Sequence, residues 1–141
     1  MKLLLLALVA IAGCASALAQ VAPMPMALCA GWEGERTCEQ LHEDAQIRVL
    51  RCTFPPGVGH EPHYHPPHFG YVLEGESVMR ITTEEGTREV PVQAGGWFAN
   101  DTEVRHEALN VGDAMTSYLI VEKKYADTRA SEAVAPGLCT N

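Results

Sequence analysis

The stretch His63-Tyr64-His65-Pro66-Pro67-His68-Phe69-Gly70-Tyr71-Val72-Leu73-Glu74-Gly75 gathers half of the chain's six histidines ahead of an apolar run that a glycine closes. His63 and His65 are two positions apart, so on an extended strand both side chains leave from one face. Imidazole is the commonest metal ligand, and neutral nitrogen donors suit zinc, copper, iron and nickel better than calcium or magnesium. Pro66 and Pro67 restrict the backbone between His65 and His68, which lowers the entropy lost when an ion is gripped. A His-x-His pair alone is also compatible with a solvated loop. The neighbouring residues shift that balance.

Outward from this stretch the chain alternates short strand-like runs with turn residues. Runs at 45–54, 60–65, 68–73, 77–82, 87–92, 97–99, 104–109 and 114–121 read as strands. Within the first, Ile47 and Val49 share one face, and Leu50 and Phe54 the other. Pro55-Pro56-Gly57-Val58-Gly59 breaks the chain, Glu84-Glu85-Gly86 signals a hairpin, and Gly95-Gly96 marks a tight turn. Residues 21–26 are Pro-rich and read as an extended arm, and residues 39–44 as a short helical turn. Short, evenly spaced strands predict an antiparallel all-β domain, and the periodicity alone does not choose between sandwich and barrel. Tyr71 and Trp97 are expected in the core, as large strand aromatics usually are, with the mouth of a pocket as the alternative place for them. Arg80, Arg105, Glu107 and His42 are expected at the surface. Asn110 is expected to hold its turn by local side-chain hydrogen bonds.

Gly57-x5-His63-x-His65-x2-His68-x6-Gly75, with Gly95 and then His106-x3-Asn110, resembles the paired motifs of the cupin superfamily. Those motifs read Gly-x5-His-x-His-x3,4-Glu-x6-Gly and Pro-x-Gly-x2-His-x3-Asn. Gly57, His63, His65 and Gly75 match the first, and His106 and Asn110 the second. The text from Phe69 to Glu76 is similar to the strand and turn that follow the ligands. The resemblance runs from Ile47 to Glu122 and implies a double-stranded β-helix, or jelly-roll, barrel. It departs in two ways. His68 stands where the family places its glutamate, after a shorter spacer, and Asp101 and Glu103 replace the Pro and Gly of the second motif. The resemblance therefore implies a carboxylate-free centre of His63, His65 and His106, with His68 as a fourth ligand or as a neighbouring donor. His60 is an alternative ligand. One divalent transition metal is expected, with iron favoured over copper, nickel, manganese or zinc.

Composition sets the outer limits. The chain has 141 residues, 47% of them hydrophobic, enough for one domain with one core. Ten basic residues face 18 acidic ones, and Lys123-Lys124 is the nearest thing to a basic cluster, so nucleic acid is excluded as a partner. Met1 and Lys2 precede an apolar run too short to span a bilayer, and Ala17-Leu18-Ala19 supplies a small-x-small cleavage site. Residues 1–19 therefore read as a signal peptide for a periplasmic or secreted protein. Ile11-Ala12-Gly13-Cys14 supports a second reading, a lipoprotein anchored at Cys14. The rest divides into an arm with a Cys-containing loop (20–44), a barrel (45–122) and a tail (123–141).

Export makes disulfides the expected state of Cys29, Cys38, Cys52 and Cys139. Of the three pairings possible, loop locality favours Cys29–Cys38 with Cys52–Cys139. The rival use, a Cys52 thiolate at the metal, suits an oxidising compartment less well.

No Ser/His/Asp pattern, phosphate loop or dinucleotide fingerprint occurs in the sequence, so an enzyme built from this chain has to work through its metal. Carboxylate-free three-histidine cupins include dioxygenases, and the resemblance implies a metal-dependent oxidoreductase acting on a small molecule. In that picture an unligated His68 orients the substrate or serves as a base. The alternative is a non-enzymatic periplasmic module that binds metal or a small molecule. By analogy with the family, a homodimer is also expected.

Overall fold

Each alternating run between turn signals forms a strand, and the strands close into two facing sheets. The computed structural model describes residues 24–127 together with Cys139. The expected leader (1–19), Cys14, the start of the arm (20–23) and the tail at 128–138 and 140–141 lie outside the described residues. In chain order the strands are β1 (Gly31–Trp32), β2 (Glu35–Arg36), β3 (Cys38–Glu43), β4 (Ile47–Phe54), β5 (Gly59–His65) and β6 (His68–Glu74). Then follow β7 (Glu76–Thr83), β8 (Gly86–Gln93), β9 (Trp97–Asn100), β10 (Val104–Asn110) and β11 (Thr116–Lys123), with a 3-10 turn at Lys124–Ala126. Among the described residues there is no α-helix, and no helix is long and apolar enough to cross a membrane.

One sheet has the order β5-β10-β7-β8 and the other β3-β4-β11-β6-β9, while β1 and β2 form a small ribbon. The chain changes sheets between β4 and β5, between β5 and β6 at Pro66-Pro67, between β6 and β7, on either side of β9, and between β10 and β11. All ladders between named strands are antiparallel. This crossing pattern is a jelly-roll barrel, as expected. Leu50, Cys52, Phe54, Val72, Met79, Ala108, Tyr118 and Ile120 fill the space between the sheets. Leu50 and Phe54 are buried and Ile47 and Val49 half-buried, as the alternation in β4 requires.

Gly75 turns β6 into β7 at φ 96°, a region that suits glycine, and a Cβ there would run into the Met115 carbonyl oxygen. Asn110 is fully buried. Its amide donates to Phe54 O and Ala114 O, and its carbonyl oxygen accepts from Ser77 Oγ and from the Gly112 amide. The expected local bonds to its turn are therefore present. Two further bonds tie that turn to β4 and β7.

Three expectations are corrected. Residues 39–44 do not form a helical turn. They belong largely to β3, which pairs with β4, so sheet pairing overrides the local preference. The disulfides are Cys38–Cys52 and Cys29–Cys139. Pairing of β3 with β4 sets Cys38 opposite Cys52, and that register decides the partner where sequence proximity does not. Cys52 is thereby no thiolate. Tyr71 and Trp97 are not core residues: in β6 it is His68, Gly70 and Val72 that face inward, so Tyr71 points out with its cross-strand partner Trp97, which is 68% exposed. Trp97 stacks on Phe69 at 6.0 Å between ring centroids.

Candidate metal centre

His63 and His65 lie on β5, and His106 lies on β10 directly across from His63. Their ligand nitrogens all fall within 4.8 Å of one another. His60 also points inward, although its odd spacing from His63 would send it to the other face of a regular strand. The β5–β10 register explains this: His106 pairs with His63 and Ala108 with His60, so β5 carries one residue too many at Glu61-Pro62. His60 then packs on the His63 ring, 3.7 Å between centroids, and its Nε2 lies 2.9 Å from the Ala27 carbonyl oxygen. It lines the cavity between the sheets, but it is not one of the three histidines whose nitrogens converge.

Hydrogen bonds decide which nitrogen faces the cluster. His63 Nδ1 donates to the Glu61 carbonyl at 2.6 Å, and a carbonyl can only accept. His65 Nδ1 donates to Glu122 Oε1 at 2.9 Å. Both imidazoles, when neutral, therefore present a bare Nε2, and the two Nε2 atoms lie 3.1 Å apart. His106 Nε2 lies 3.1 Å from that of His63. Metal–nitrogen bonds of about 2.0–2.1 Å meeting at right angles place donors about 3.0 Å apart. Lone pairs converging at this spacing repel one another unless a cation lies among them, so the donor set fits a divalent transition metal. Burial first, then neighbouring histidines, holds His63 and His65 well below the usual imidazole range. His106 is lowered to about 4 by burial, then by His60, His68 and the charge of Arg88. Neutral imidazole is the form that binds metal.

The opposite sheet answers with a polar row. Glu122 on β11 pairs in register with Arg48 on β4 and His68 on β6, and His68 pairs with Asn100 on β9. Glu122 is fully buried, with Oε2 accepting from Arg48 Nη1 at 3.0 Å while Oε1 accepts from His65. Burial raises the Glu122 carboxyl, against the pull of Arg48. A carboxylate behind a ligating imidazole fixes its tautomer and orientation. Neither Glu122 nor Arg48 was singled out from the sequence. The available signal was a charge at the inward-facing parity of an apolar strand: Arg48 shares a face with Leu50 and Cys52, and Glu122 with Ile120 and Tyr118.

His68 is buried but lies apart from the three converging nitrogens. Its Nδ1 donates to Pro66 O at 2.8 Å, leaving Nε2 to accept from Asn100 Nδ2 at 3.1 Å. Both ring nitrogens are thus engaged. Arg105 and Arg80 face solvent and pair with Glu103 and Glu89, and His42 is exposed. Between the sheets lies a cavity of about 280 Å³, reached by His65, His68 and His106 at one side and walled by Phe54, Met79, Phe98, Tyr118 and other apolar residues. A ligand-sized, largely apolar chamber beside convergent nitrogen donors is the usual form of a small-molecule site.

The fold and site together define a jelly-roll barrel with a histidine-lined chamber. The chain belongs to the cupin family: a family model described as "Cupin domain" matches residues 50–122. Among solved structures, a cupin domain from Bordetella pertussis Tohama I is similar at 20% identity and TM-score 0.58, over 72% of this chain and 97% of that one. The polyketide cyclase RemF from Streptomyces resistomycificus is similar at 18% identity and TM-score 0.50, over 62% of this chain and 63% of its own. At these identities the likeness is one of fold. No curated protein is significantly similar to this chain in sequence.

Proposed function

We propose that this chain is an exported, metal-dependent oxidoreductase of the dioxygenase type, acting on a small molecule. One divalent transition metal, iron in first place, is held by Nε2 of His63, His65 and His106. The observation that carries this reading is the convergence of those nitrogens at the edge of an apolar cavity, with the far side of His63 and of His65 already hydrogen-bonded. Three neutral ligands leave the ion's charge uncancelled, and such an ion supplies Lewis-acid or dioxygen chemistry to a substrate beside it.

The chain's own residues have separate tasks. Glu122, anchored by Arg48, orients His65. Phe98, Tyr118 and Phe54 exclude water from the chamber. His68 and Asn100 present a hydrogen-bonded pair on its wall; with both of its nitrogens engaged, His68 orients Asn100 towards the substrate and does not complete the ligand set. A closed four-histidine centre would suit a binding module; the engagement of His68 Nε2 by Asn100 favours the open, catalytic arrangement.

Elemental mass spectrometry on the exported, untagged full chain is the test. About one transition-metal ion per chain is expected, lost in His106→Ala and retained in His68→Ala. A wild-type protein that is isolated empty and takes up none of the added metals overturns the reading. With iron loaded, substrate-dependent oxygen uptake that disappears in His106→Ala separates the oxidoreductase from the module.

A further inference from the structure

Arg88 stands where the pattern of its strand calls for an apolar residue. In β8 the alternation places Arg88, Val90 and Val92 on the face that lines the cavity, while Glu89 points outward to Arg80. Arg88 stands at the exposed end of that face, where its charge meets solvent as well as the cavity. The other described cations are occupied. Arg48, Arg51, Arg80, Arg105, Lys123 and Lys124 each meet a carboxylate, and Arg36 meets the Cys139 carbonyl. The Arg88 guanidinium has neither hydrogen bond nor ion pair among the described residues, although the chain carries a net charge of −8.

Its place relative to the donors follows from the register. Arg88 pairs with Ile81 on β7, and Ile81 pairs with Ala108 on β10, two residues past His106. Two strand spacings of about 4.8 Å separate β8 from β10, so the Arg88 backbone stands about 10 Å from that of the ligand strand. Arg88 itself is exposed, which puts its guanidinium at the mouth of the chamber. A guanidinium fork matches a carboxylate in two parallel hydrogen bonds.

We infer that Arg88 anchors the carboxylate of a small acid whose apolar body fills the chamber between it and the histidine cluster. The snorkelling of a long side chain at a barrel rim explains the exposure of Arg88 but not the absence of an ion-pair partner for it among the described residues. The inference rests on the proposed reading of this chamber as the reaction site, and it narrows the substrate class to apolar monocarboxylates. Against a surface that repels anions, a cation at the entrance with no ion-pair partner among the described residues also steers them in.

The test compares phenylacetate with phenylacetamide, its uncharged isostere, by amide NMR titration of the full chain in metal-free and zinc-loaded forms. Wild type is expected to prefer the acid by about tenfold or more, the scale of a charge-assisted contact. Arg88→Gln should lose that preference while binding the amide unchanged, and Arg88→Lys should keep part of it. Equal binding of acid and amide, binding of neither, or a preference that survives Arg88→Gln overturns the inference. The metal-free series separates the two proposals. An Arg88-dependent preference in a protein that takes up no metal sinks the metal centre and leaves the anchor. Metal uptake without that preference does the reverse.

Discussion

A carboxylate without solvent exposure has to be compensated within the protein, and Glu122 is compensated twice, by Arg48 at 3.0 Å and by His65 at 2.9 Å. Removing one partner of a buried pair costs more than the pair contributes, because the remaining charge is stranded. Arg48→Met is therefore expected to destabilise the fold by about 3–5 kcal/mol, read from the urea midpoint. Arg48→Met combined with Glu122→Gln should recover much of that loss. Glu122→Gln alone keeps an acceptor for His65 but removes the charge that raises its basicity. Metal affinity should then fall by about 10–100-fold in a competition titration with a chelator, and unchanged affinity would deny Glu122 its orienting role. The histidines themselves were legible as residues, since their spacing carries the ligand pattern. Glu122, Arg48 and Arg88 were not picked out, because a charge sharing a face with apolar residues gains its meaning only from the neighbours that the strand register sets beside it.

At the scale of elements, parity decides what each strand gives to the chamber. The extra residue in β5 shows how fragile that rule is: one additional position at Glu61-Pro62 turns His60 inward beside His63. Proline is tolerated there because a bulge leaves an amide without a ladder partner. The two motif glycines also differ in kind. Gly57 has φ 75° and open space where a Cβ would stand, whereas Gly75 has φ 96° and abuts the backbone at Met115 and Thr116. Gly57→Ala should cost only its backbone strain, about 1 kcal/mol, while Gly75→Ala should cost more, up to about 3 kcal/mol. Denaturant midpoints check the order, and equal costs would remove the steric account of Gly75. Most strand boundaries were readable from turn residues. The strand at β3 was not, because its conformation comes from pairing with β4.

For the whole molecule, burying uncharged histidines ties folding to pH. His60 is lowered from 6.5 to about 4 by burial, against hydrogen bonds to Ala27 and Ala30, and His106 is lowered to about 4. The unfolded chain therefore binds protons that the folded chain refuses. Stability is complete above about pH 6.5 and is lost as pH falls towards 4. Thermal melts of the metal-free protein between pH 7.5 and 4 should show a falling midpoint, steepest below about 6.5, and a flat profile would contradict the buried neutral state. The two disulfides, one local to β3 and β4 and one spanning 110 positions, fit an oxidising compartment. Sequence by itself determined the all-β class, the family and the three histidines whose donors meet, because turn residues, alternation and motif spacing are local properties. Tertiary structure alone decided the disulfide partners, the inward row of Arg48, Glu122, His68 and Asn100, the outward turn of Tyr71 and Trp97, and the place of Arg88 at the chamber mouth. Each of these depends on which strands lie side by side and in what register. A slip of one residue exchanges the two faces of a strand, so composition and spacing cannot supply that information.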